Sequence, residues 1–125
     1  MQGIKSHFIP TEHKARYINA LLKVGFDTID FGSFVSPKAI PQMRDTAEVL
    51  SMLDLESTTS KLLAIVANVR GAAAACHFEE IDYLGFPFSI SENFQMRNTG
   101  KTIDQSLFAL DEIMNLSVKS SKEVV

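Results

Sequence analysis

The sequence has almost no cysteine, little net charge and no long apolar run. Cys76 is the only cysteine in 125 residues, so no disulfide can form within the chain and a reducing compartment is expected. The net charge of −3 leaves no basic excess and argues against a nucleic-acid partner. No apolar run approaches the roughly 20 residues that cross a bilayer, and the start lacks the basic-then-apolar pattern of a secretory signal. These absences predict a soluble, cytoplasmic protein without a membrane partner.

The residues that are present predict a single domain with a hydrophobic core, because apolar residues make up 46% of the chain. A first helix is predicted by apolar residues at helical spacing: Ala15, Ile18, Leu21 and Leu22. Thr11 is the expected N-cap, and Gly25 is placed to end the helix in the left-handed conformation. A first strand is expected over 26–31, followed by a turn-rich loop from Gly32 onward.

Further elements follow in alternation. Asp45 is positioned to cap a second helix with three apolar residues on its inner face: Val49, Leu50 and Leu53. The apolar run 62–66 is too short for a typical helix and is typical of a strand buried on both faces. RGAAAAC begins a short helix. A third strand is expected over 81–90, where Leu84, Phe86 and Phe88 form a stripe expected in the core.

The last third of the chain is predicted as a polar loop over 91–101 and then a long helix. Thr102 and Gln105 form a capping box at the start of that helix. Its predicted apolar face holds four residues: Ile103, Leu107, Leu110 and Met114. Met43, Met52 and Met114 are expected to fill gaps in the core, and 124–125 is expected to begin a further strand.

This alternation of helices and strands repeats at roughly 30 residues, which is the length of a βαβ unit. Parallel strands with right-handed crossovers are therefore expected. The fold is either a small open α/β sheet or part of a TIM (β/α)₈ barrel. A complete barrel takes about 250 residues, so 125 residues correspond to about half of one.

One stretch, TIDFGSFVSPKAIPQM at 28–43, carries the most specific signal. Asp30 is expected at the end of a strand, and the hydroxyls of Ser33 and Ser36 follow it closely. In parallel α/β sheets, ligands bind at the carboxyl ends of the strands. SFVSPKAIPQM closely resembles the signature S-F-V-S-P-K-x-x-P-Q-M of hydroxymethylglutaryl-CoA lyases, which belong to the pyruvate carboxyltransferase-like metal lyases built on TIM barrels.

The resemblance extends over the whole chain and in the same order. FIPTEHKARYINALLKVGFDTIDFGSF resembles the family's first helix and second strand, NVRGAAAA its N-x-R-G turn, and SISENFQMRN its S-x-S-E-x-F…N loop. MQGIK resembles the tail of R-D-G-L-Q-N-E-K. The resemblance thus implies that residues 1–125 are a partial barrel domain with strands two to four and their helices. On this interpretation the first strand and the C-terminal half of the barrel are missing.

The function implied by the resemblance is metal-dependent cleavage of a C–C bond in 3-hydroxy-3-methylglutaryl-CoA. The products are acetyl-CoA and acetoacetate, in leucine degradation. The acyl-CoA substrate is the expected partner, and Mg²⁺ or Mn²⁺ is the cation of the full-length family. Its metal ligands and catalytic cysteine fall outside this chain, and His7, His13 and His77 are isolated. We therefore expect no metal to bind the chain alone, and we expect the isolated chain to be inactive.

Candidate site residues follow from the same match. Asp30 is the candidate catalytic residue, at a position where the family usually has glutamate. The candidate substrate-binding residues are Gln2, Lys5, Ser33, Asn68, Ser91 and Asn98. Three of them also have a structural interpretation: Asn68 can cap a turn, Asn98 can shape a loop, and Ser33 can hold the loop after its strand.

Two other functions remain open at this point. One is a related acyl-CoA condensing enzyme of the homocitrate or isopropylmalate synthase type, although the signature loop disfavours it. The other is a non-catalytic fragment, since a half barrel exposes two unpaired strand edges where another chain can pair. A homo-oligomer, or association with a missing half, is the partner that this second interpretation predicts.

Overall fold

The computed structural model describes residues 3–4 and 6–125, which form one open sheet covered by helices on one face. The strands are β1 (Thr28–Phe34), β2 (Lys61–Val66), β3 (Tyr83–Gly85) and β4 (Glu123–Val124). They lie in the order β1-β2-β3-β4, and every neighbouring pair is parallel. Sequential parallel order of this kind is that of a (β/α)₈ barrel, and it confirms the predicted fold class.

Five α-helices and one short 3₁₀ turn connect these strands in the described residues. The helices are α1 (Thr11–Val24), α2 (Thr46–Ser51), α3 (Val69–Ala75), α4 (Glu92–Thr99) and α5 (Ile103–Lys119), and the 3₁₀ turn is Pro41–Met43. Within residues 3–4 and 6–125, no helix has the length and apolar character needed to cross a bilayer.

The hydrophobic core lies between the sheet and the helices. Alternate residues of β2 point into it: Leu62, Ala64 and Val66 are fully buried, whereas Leu63 and Ile65 on the opposite face are half-buried. The helices contribute Ile18, Leu22, Leu50, Ala72 and Ile113 to the same cluster. The opposite, helix-free face of the sheet is called the open face below.

A bulge in β1 changes which residues reach the open face. Asp30 pairs with Leu63 and Gly32 pairs with Ala64, so Phe31 between them has no partner on β2. The extra residue shifts the alternation by one position. As a result Gly32 lies on the helix side, close to the Thr46 methyl group, and Ser33 returns to the open face opposite Ile65.

Helix boundaries agree with several predictions and correct others. Gly25 ends α1 in the left-handed conformation, with φ of 83°, and the capping box of Thr102 and Gln105 opens α5. Thr11, however, is the first residue of α1 rather than its N-cap, because the chain turns at Pro10. Asp45 stands at the predicted start of α2, but its side chain makes no cap. Leu53 lies beyond the end of α2.

The strand boundaries differ more. β1 runs on to Phe34, so Gly32 and Ser33 are strand residues and Asp30 lies inside the strand. β3 has three residues instead of the ten expected over 81–90, because Pro87 has no N–H to donate to a ladder. The stripe that begins at Leu84 therefore leaves the sheet, and Phe88 is exposed although it was expected in the core.

The face of α5 is the largest correction. Its buried residues are Ser106, Ala109, Ile113 and Ser117, and the predicted face of Leu107 and Met114 is about half exposed. Small side chains let the helix approach α3 and the sheet closely. Met52 is also exposed, so the expectation that Met52 and Met114 fill core gaps is wrong.

Close packing of α3 on β1 makes a prediction about Gly71. A Cβ atom at Gly71 would lie 2.2 Å from the Phe34 carbonyl oxygen, so Gly71→Ala forces the backbone of α3 away from β1. We expect a loss of stability of about 1–3 kcal/mol, measured as a lower urea midpoint. Gly3→Ala is the matched control, since nothing lies within 4 Å of its added Cβ. Equal midpoints for the two variants would contradict this contact.

Candidate functional site

The carboxyl edge of the sheet carries a cavity of about 300 Å³. Its walls are the end of β1 with the loop that follows, and the first turns of α3: Phe34, Val35, Ser36, Pro37, Asn68, Arg70, Gly71 and Ala74. The signature loop and the N-V-R-G turn thus form the two sides of one cavity, through residues 31 or more positions apart, from Pro37 to Asn68. This edge of a parallel α/β sheet is where ligands bind.

Asp30 and Ser33 share the open face of β1. In the register with β2, Ser33 lies one position before Phe34, where the cavity begins, and Asp30 lies three positions before it. Asp30 is exposed and Ser33 is 4% exposed. Asp30 pairs with Leu63 and Ser33 pairs with Ile65 on β2. The side chains of Leu63 and Ile65 lie over Gly85 of β3, where an added Cβ atom would meet both of them. The bulge therefore brings a carboxylate and a hydroxyl to the same face of the sheet, three residues apart in sequence.

Partial desolvation changes the acidity of Asp30. Although its side chain remains exposed, the surrounding strand removes part of its hydration, and this raises the pKa of the Asp30 carboxyl above its ordinary value of 3.8. The Gly32 N–H donates a hydrogen bond to the carboxylate and opposes this rise. A carboxylate with a raised pKa is a stronger base.

Asn68 and Ser91 both act as helix caps. The Asn68 Oδ1 atom accepts a hydrogen bond of 2.9 Å from the Gly71 N–H at the start of α3, and its amide side chain lines the cavity. Ser91 Oγ accepts from the Phe94 N–H at 3.4 Å at the start of α4. Asn68 therefore caps α3, as its structural interpretation predicted, and its side chain also faces the cavity.

Asn98 lies on α4, a helix in the segment 91–101 that was expected to be a loop. Its side chain is exposed. The segment is helical because Ser91 caps its start and Gly100 ends it, two residues whose spacing could have revealed the helix. Buried Gln95 fixes the helix in place: its Nε2 donates to Ser106 Oγ of α5, at 2.6 Å, and its Oε1 accepts from the Ser89 N–H.

Gln2 and Lys5, the two remaining candidates, lie outside the described residues. The chain around them, Ile4 and residues 6–10, is held by the side chain of Gln42. Gln42 Nε2 donates to the carbonyl oxygens of Ile4, at 2.9 Å, and His7, and its Oε1 accepts from the Ile9 N–H at 3.1 Å. Sequence reasoning missed this role, although Gln42 is the glutamine of the P-Q-M signature.

A buried ion pair lies directly beneath this segment. Lys14 Nζ is 2.6 Å from Asp45 Oδ1, and the two side chains are 3% and 6% exposed. Lys14 also donates to the Gln42 carbonyl oxygen, and Thr11 Oγ1 donates to Asp45 Oδ2 at 2.8 Å. The pair explains why Asp45 does not cap α2: its carboxylate is engaged by α1. The signal in the sequence is a lysine four residues before Ile18, on the apolar face of a helix.

The described side chains do not form a metal centre. Within residues 3–4 and 6–125, no group of three or more histidine, cysteine, aspartate or glutamate residues comes close enough to hold a metal ion. His77 Nδ1 instead lies 2.7 Å from the Ala73 carbonyl oxygen, a local contact at the end of α3.

Several known proteins resemble this chain in sequence and in structure. The chain is 34% identical over 123 residues to a mitochondrial hydroxymethylglutaryl-CoA lyase of Gallus gallus, covering 97% of this chain and 40% of that protein. It is 33% identical over 114 residues to a hydroxymethylglutaryl-CoA lyase of Bacillus subtilis, covering 91% and 38%. A comparison with protein-family models gives no match.

Among solved structures, an HMG-CoA lyase from Acinetobacter baumannii in complex with coenzyme A and 3-methylmalate superposes with a TM-score of 0.87 at 30% identity. The match covers 98% of this chain and 41% of that one. The chain is thus similar in sequence and in fold to hydroxymethylglutaryl-CoA lyases over nearly its whole length. It spans about 40% of the length of the lyases that it matches, and its four parallel strands correspond to part of their barrel.

The ion pair beneath the lyase signature loop can be tested by a double-mutant cycle. Asp45→Leu leaves the Lys14 ammonium buried without a counter-ion, and we expect a loss of about 3–5 kcal/mol in unfolding free energy. The double variant Lys14→Met with Asp45→Leu should cost less than the sum of Lys14→Met and Asp45→Leu measured singly. Lys23→Met, on the exposed face of α1, is the control and should lie within about 0.5 kcal/mol of the wild type. Strictly additive losses would contradict a coupled pair.

The raised pKa of Asp30 predicts a pH dependence of stability. The folded chain favours the protonated carboxyl, so its stabilising effect is present below 3.8 and is lost as the pH rises through the raised folded pKa. Asparagine cannot ionise, so the Asp30→Asn variant does not lose stability as the pH rises. We expect the variant to gain urea stability relative to the wild type at pH 7 and not at pH 3. An equal gain in Asp111→Asn, an exposed position on α5, would show that net charge and not the Asp30 site is responsible.

Proposed function

We propose that this chain provides part of the substrate-binding edge of a metal-dependent hydroxymethylglutaryl-CoA lyase, which cleaves 3-hydroxy-3-methylglutaryl-CoA to acetyl-CoA and acetoacetate. One observation carries the proposal. The signature loop and the N-V-R-G turn line one cavity at the carboxyl edge, in a chain that superposes over 98% of its length on a lyase holding coenzyme A. Residues 1–125 would then be an incomplete barrel domain.

The chemistry requires a base and a means to stabilise negative charge. The tertiary hydroxyl of the substrate loses its proton, the C–C bond breaks, and the electron pair of that bond becomes the enolate of acetyl-CoA. Asp30 is proposed to accept or hold this proton, because its pKa is raised and it lies on the open face. Aspartate is one methylene shorter than the glutamate usual in the family, so its reach is shorter.

The remaining candidates are proposed to orient the substrate. Ser33 contributes a hydroxyl on the same face as Asp30. Asn68 keeps its amide nitrogen for the substrate while its oxygen caps α3. Ser91, the N-cap of α4, and Asn98, on α4 itself, would contact the acyl-CoA from the segment that follows β3. Gln2 and Lys5, outside the described residues, are also proposed to contact it.

A divalent cation, Mg²⁺ or Mn²⁺, is the cofactor that the resemblance implies. The described residues do not fit it, since they contain no group of three metal-binding side chains. The roles proposed for Asp30, Ser33 and Asn68 therefore do not depend on a cation held by those residues.

Two related points belong to the proposal. The relatives described above all carry the lyase name, which favours a lyase over a condensing enzyme of the homocitrate or isopropylmalate synthase type. A cytoplasmic location is proposed because the single cysteine, Cys76, suits a reducing compartment.

The proposal predicts that the chain binds coenzyme A without turning over the acyl-CoA. Titration calorimetry with coenzyme A should detect binding. Arg70→Ala should weaken it by up to about fivefold, the range of an exposed charge contact, because Arg70 lines the cavity. Arg16→Ala, on the exposed side of α1 away from this cavity, is the control and should bind as the wild type does.

Turnover is measured in the same samples as acetoacetate formed from 3-hydroxy-3-methylglutaryl-CoA with Mn²⁺ present. We expect none above the buffer rate. No detectable coenzyme A binding, or equal weakening by Arg16→Ala, would overturn the proposed site. Acetoacetate formation at enzymatic rates would instead overturn the expectation that this chain is inactive alone.

A further inference from the structure

A second cavity, larger than the one at the end of β1, lies between two neighbouring helices. It is an open groove of about 820 Å³ between the start of α3 and the first half of α5, called the α3–α5 groove below. Both walls belong to described helices that contact each other. The groove shares Asn68 and Arg70 with the cavity at the end of β1, so the two cavities meet at the carboxyl edge of the sheet.

The α5 wall carries chemically different side chains at successive levels. Lys101, just before the N-cap of α5, stands nearest to the carboxyl edge. Asp104, Phe108 and Glu112 line the groove below it, each four residues and about 6 Å along the helix axis from the next. The order from the carboxyl edge downward is therefore a cation, a carboxylate, an aromatic ring and a second carboxylate.

The aromatic ring in this series is largely open to solvent. Phe108 is 69% exposed although it lies inside a groove. The flat rings of nucleobases stack on exposed aromatic side chains and cover them. A ligand with a planar heteroaromatic ring would thus bury apolar surface here that the described chain leaves in water.

Two cations meet at the upper end of the groove, one from each wall. The described residues form one salt bridge, which lies between α1 and the start of α2, so Arg70 and Lys101 are not held by a carboxylate of the described chain. The Ile103 and Gln105 N–H groups of α5 already donate to side chains. An anion at this end would therefore be held by Arg70 and Lys101, a combination that suits a phosphate group.

We propose that the α3–α5 groove binds an adenosine phosphate. Its phosphate lies between Arg70 and Lys101, and its ribose hydroxyls donate to Asp104, as they do to a carboxylate in dinucleotide sites. Its ring stacks on Phe108, and its exocyclic amino group donates to Glu112. The nucleotide end of coenzyme A and free adenine nucleotides share this chemistry. The proposal does not require lyase activity.

The acidic side chains of the groove exclude other anionic ligands. An acidic peptide or a chain of phosphates running down the groove would place negative charge beside Asp104 and Glu112, and like charges repel. A ligand with its negative charge confined to one end and hydrogen-bond donors further along avoids this repulsion. An adenosine phosphate has this distribution of charge and donors.

Titration calorimetry of the native protein with ADP tests the groove. We expect saturable binding, which Phe108→Ala weakens by about tenfold, within the range of one stacked base. Phe94→Ala is the matched control, because Phe94 is 59% exposed and lies on α4 outside the groove. Lys101→Met should weaken binding by up to about fivefold, whereas Lys119→Met, in the last turn of α5, should not.

The carboxylate at the lower end predicts a preference for adenine. IDP has an oxygen in place of the amino group that Glu112 accepts from, so it should bind about threefold more weakly than ADP or worse. Glu112→Gln should reduce this difference, because an amide both donates and accepts. Asp111→Asn removes a charge from the neighbouring position, outside the groove, and should preserve the difference.

Competition with coenzyme A identifies the source of the nucleotide. If the nucleotide end of coenzyme A occupies the groove, coenzyme A displaces ADP and Phe108→Ala weakens both ligands. If a free nucleotide occupies it, the two ligands bind together and Phe108→Ala leaves coenzyme A binding unchanged. Both results support an adenosine phosphate site and differ only in which molecule fills it.

Three results would each overturn the proposal: no saturable binding of ADP, equal weakening by Phe108→Ala and Phe94→Ala, or equal affinity for ADP and IDP. None of them bears on coenzyme A binding at the cavity after β1, which Arg70→Ala tests. The variants of the groove leave Arg70 unchanged for this reason, since it lines both cavities. Binding of ADP without any binding of coenzyme A would contradict the proposed lyase site alone.

Discussion

The pairing of β1 with β2, interrupted by the bulge at Phe31, is the constraint on which the rest of this structure depends. Without the bulge, strict alternation would send Ser33 into the helical layer and Gly32 to the open face. With the bulge, Gly32 faces Thr46, and the absence of a side chain on Gly32 lets Thr46 pack against the strand. Thr46 Oγ1 then donates a hydrogen bond of 2.9 Å to the Ser33 carbonyl oxygen. The same irregularity leaves Asp30 and Ser33 together on the open face, where the proposed chemistry needs them.

The loop after β1 is held by polar contacts rather than by apolar packing. The buried Lys14–Asp45 pair joins α1 to the start of α2, and Gln42 binds the backbone of Ile4, His7 and Ile9. A buried charge is costly unless it is paired, so the pair fixes one arrangement of the loop and penalises others. The glutamine of the signature is thus explained by a structural role at the edge of the cavity.

The limits of pattern reading are clearest in α5. The sequence predicted its capping box, because such a cap depends only on residues three apart. The inner face was predicted from the larger apolar side chains, Leu107 and Met114, but the structure buries Ser106 and Ala109. Close approach to α3 and to Gln95 of α4 selects small residues there, and no periodicity within α5 encodes the position of a neighbouring helix.

Local chemistry in the sequence determined the order of helices and strands except for α4, the parallel topology, the left-handed turn at Gly25 and the similarity to the lyases. These follow from short-range rules and from one specific string of residues. The tertiary structure alone decided where β1 ends, that Asp45 binds Lys14 instead of capping α2, and that Asn68 and the signature loop share a cavity. Each of these depends on residues more than 25 positions apart, whose proximity arises only when the parallel strands pair and the helices pack against them.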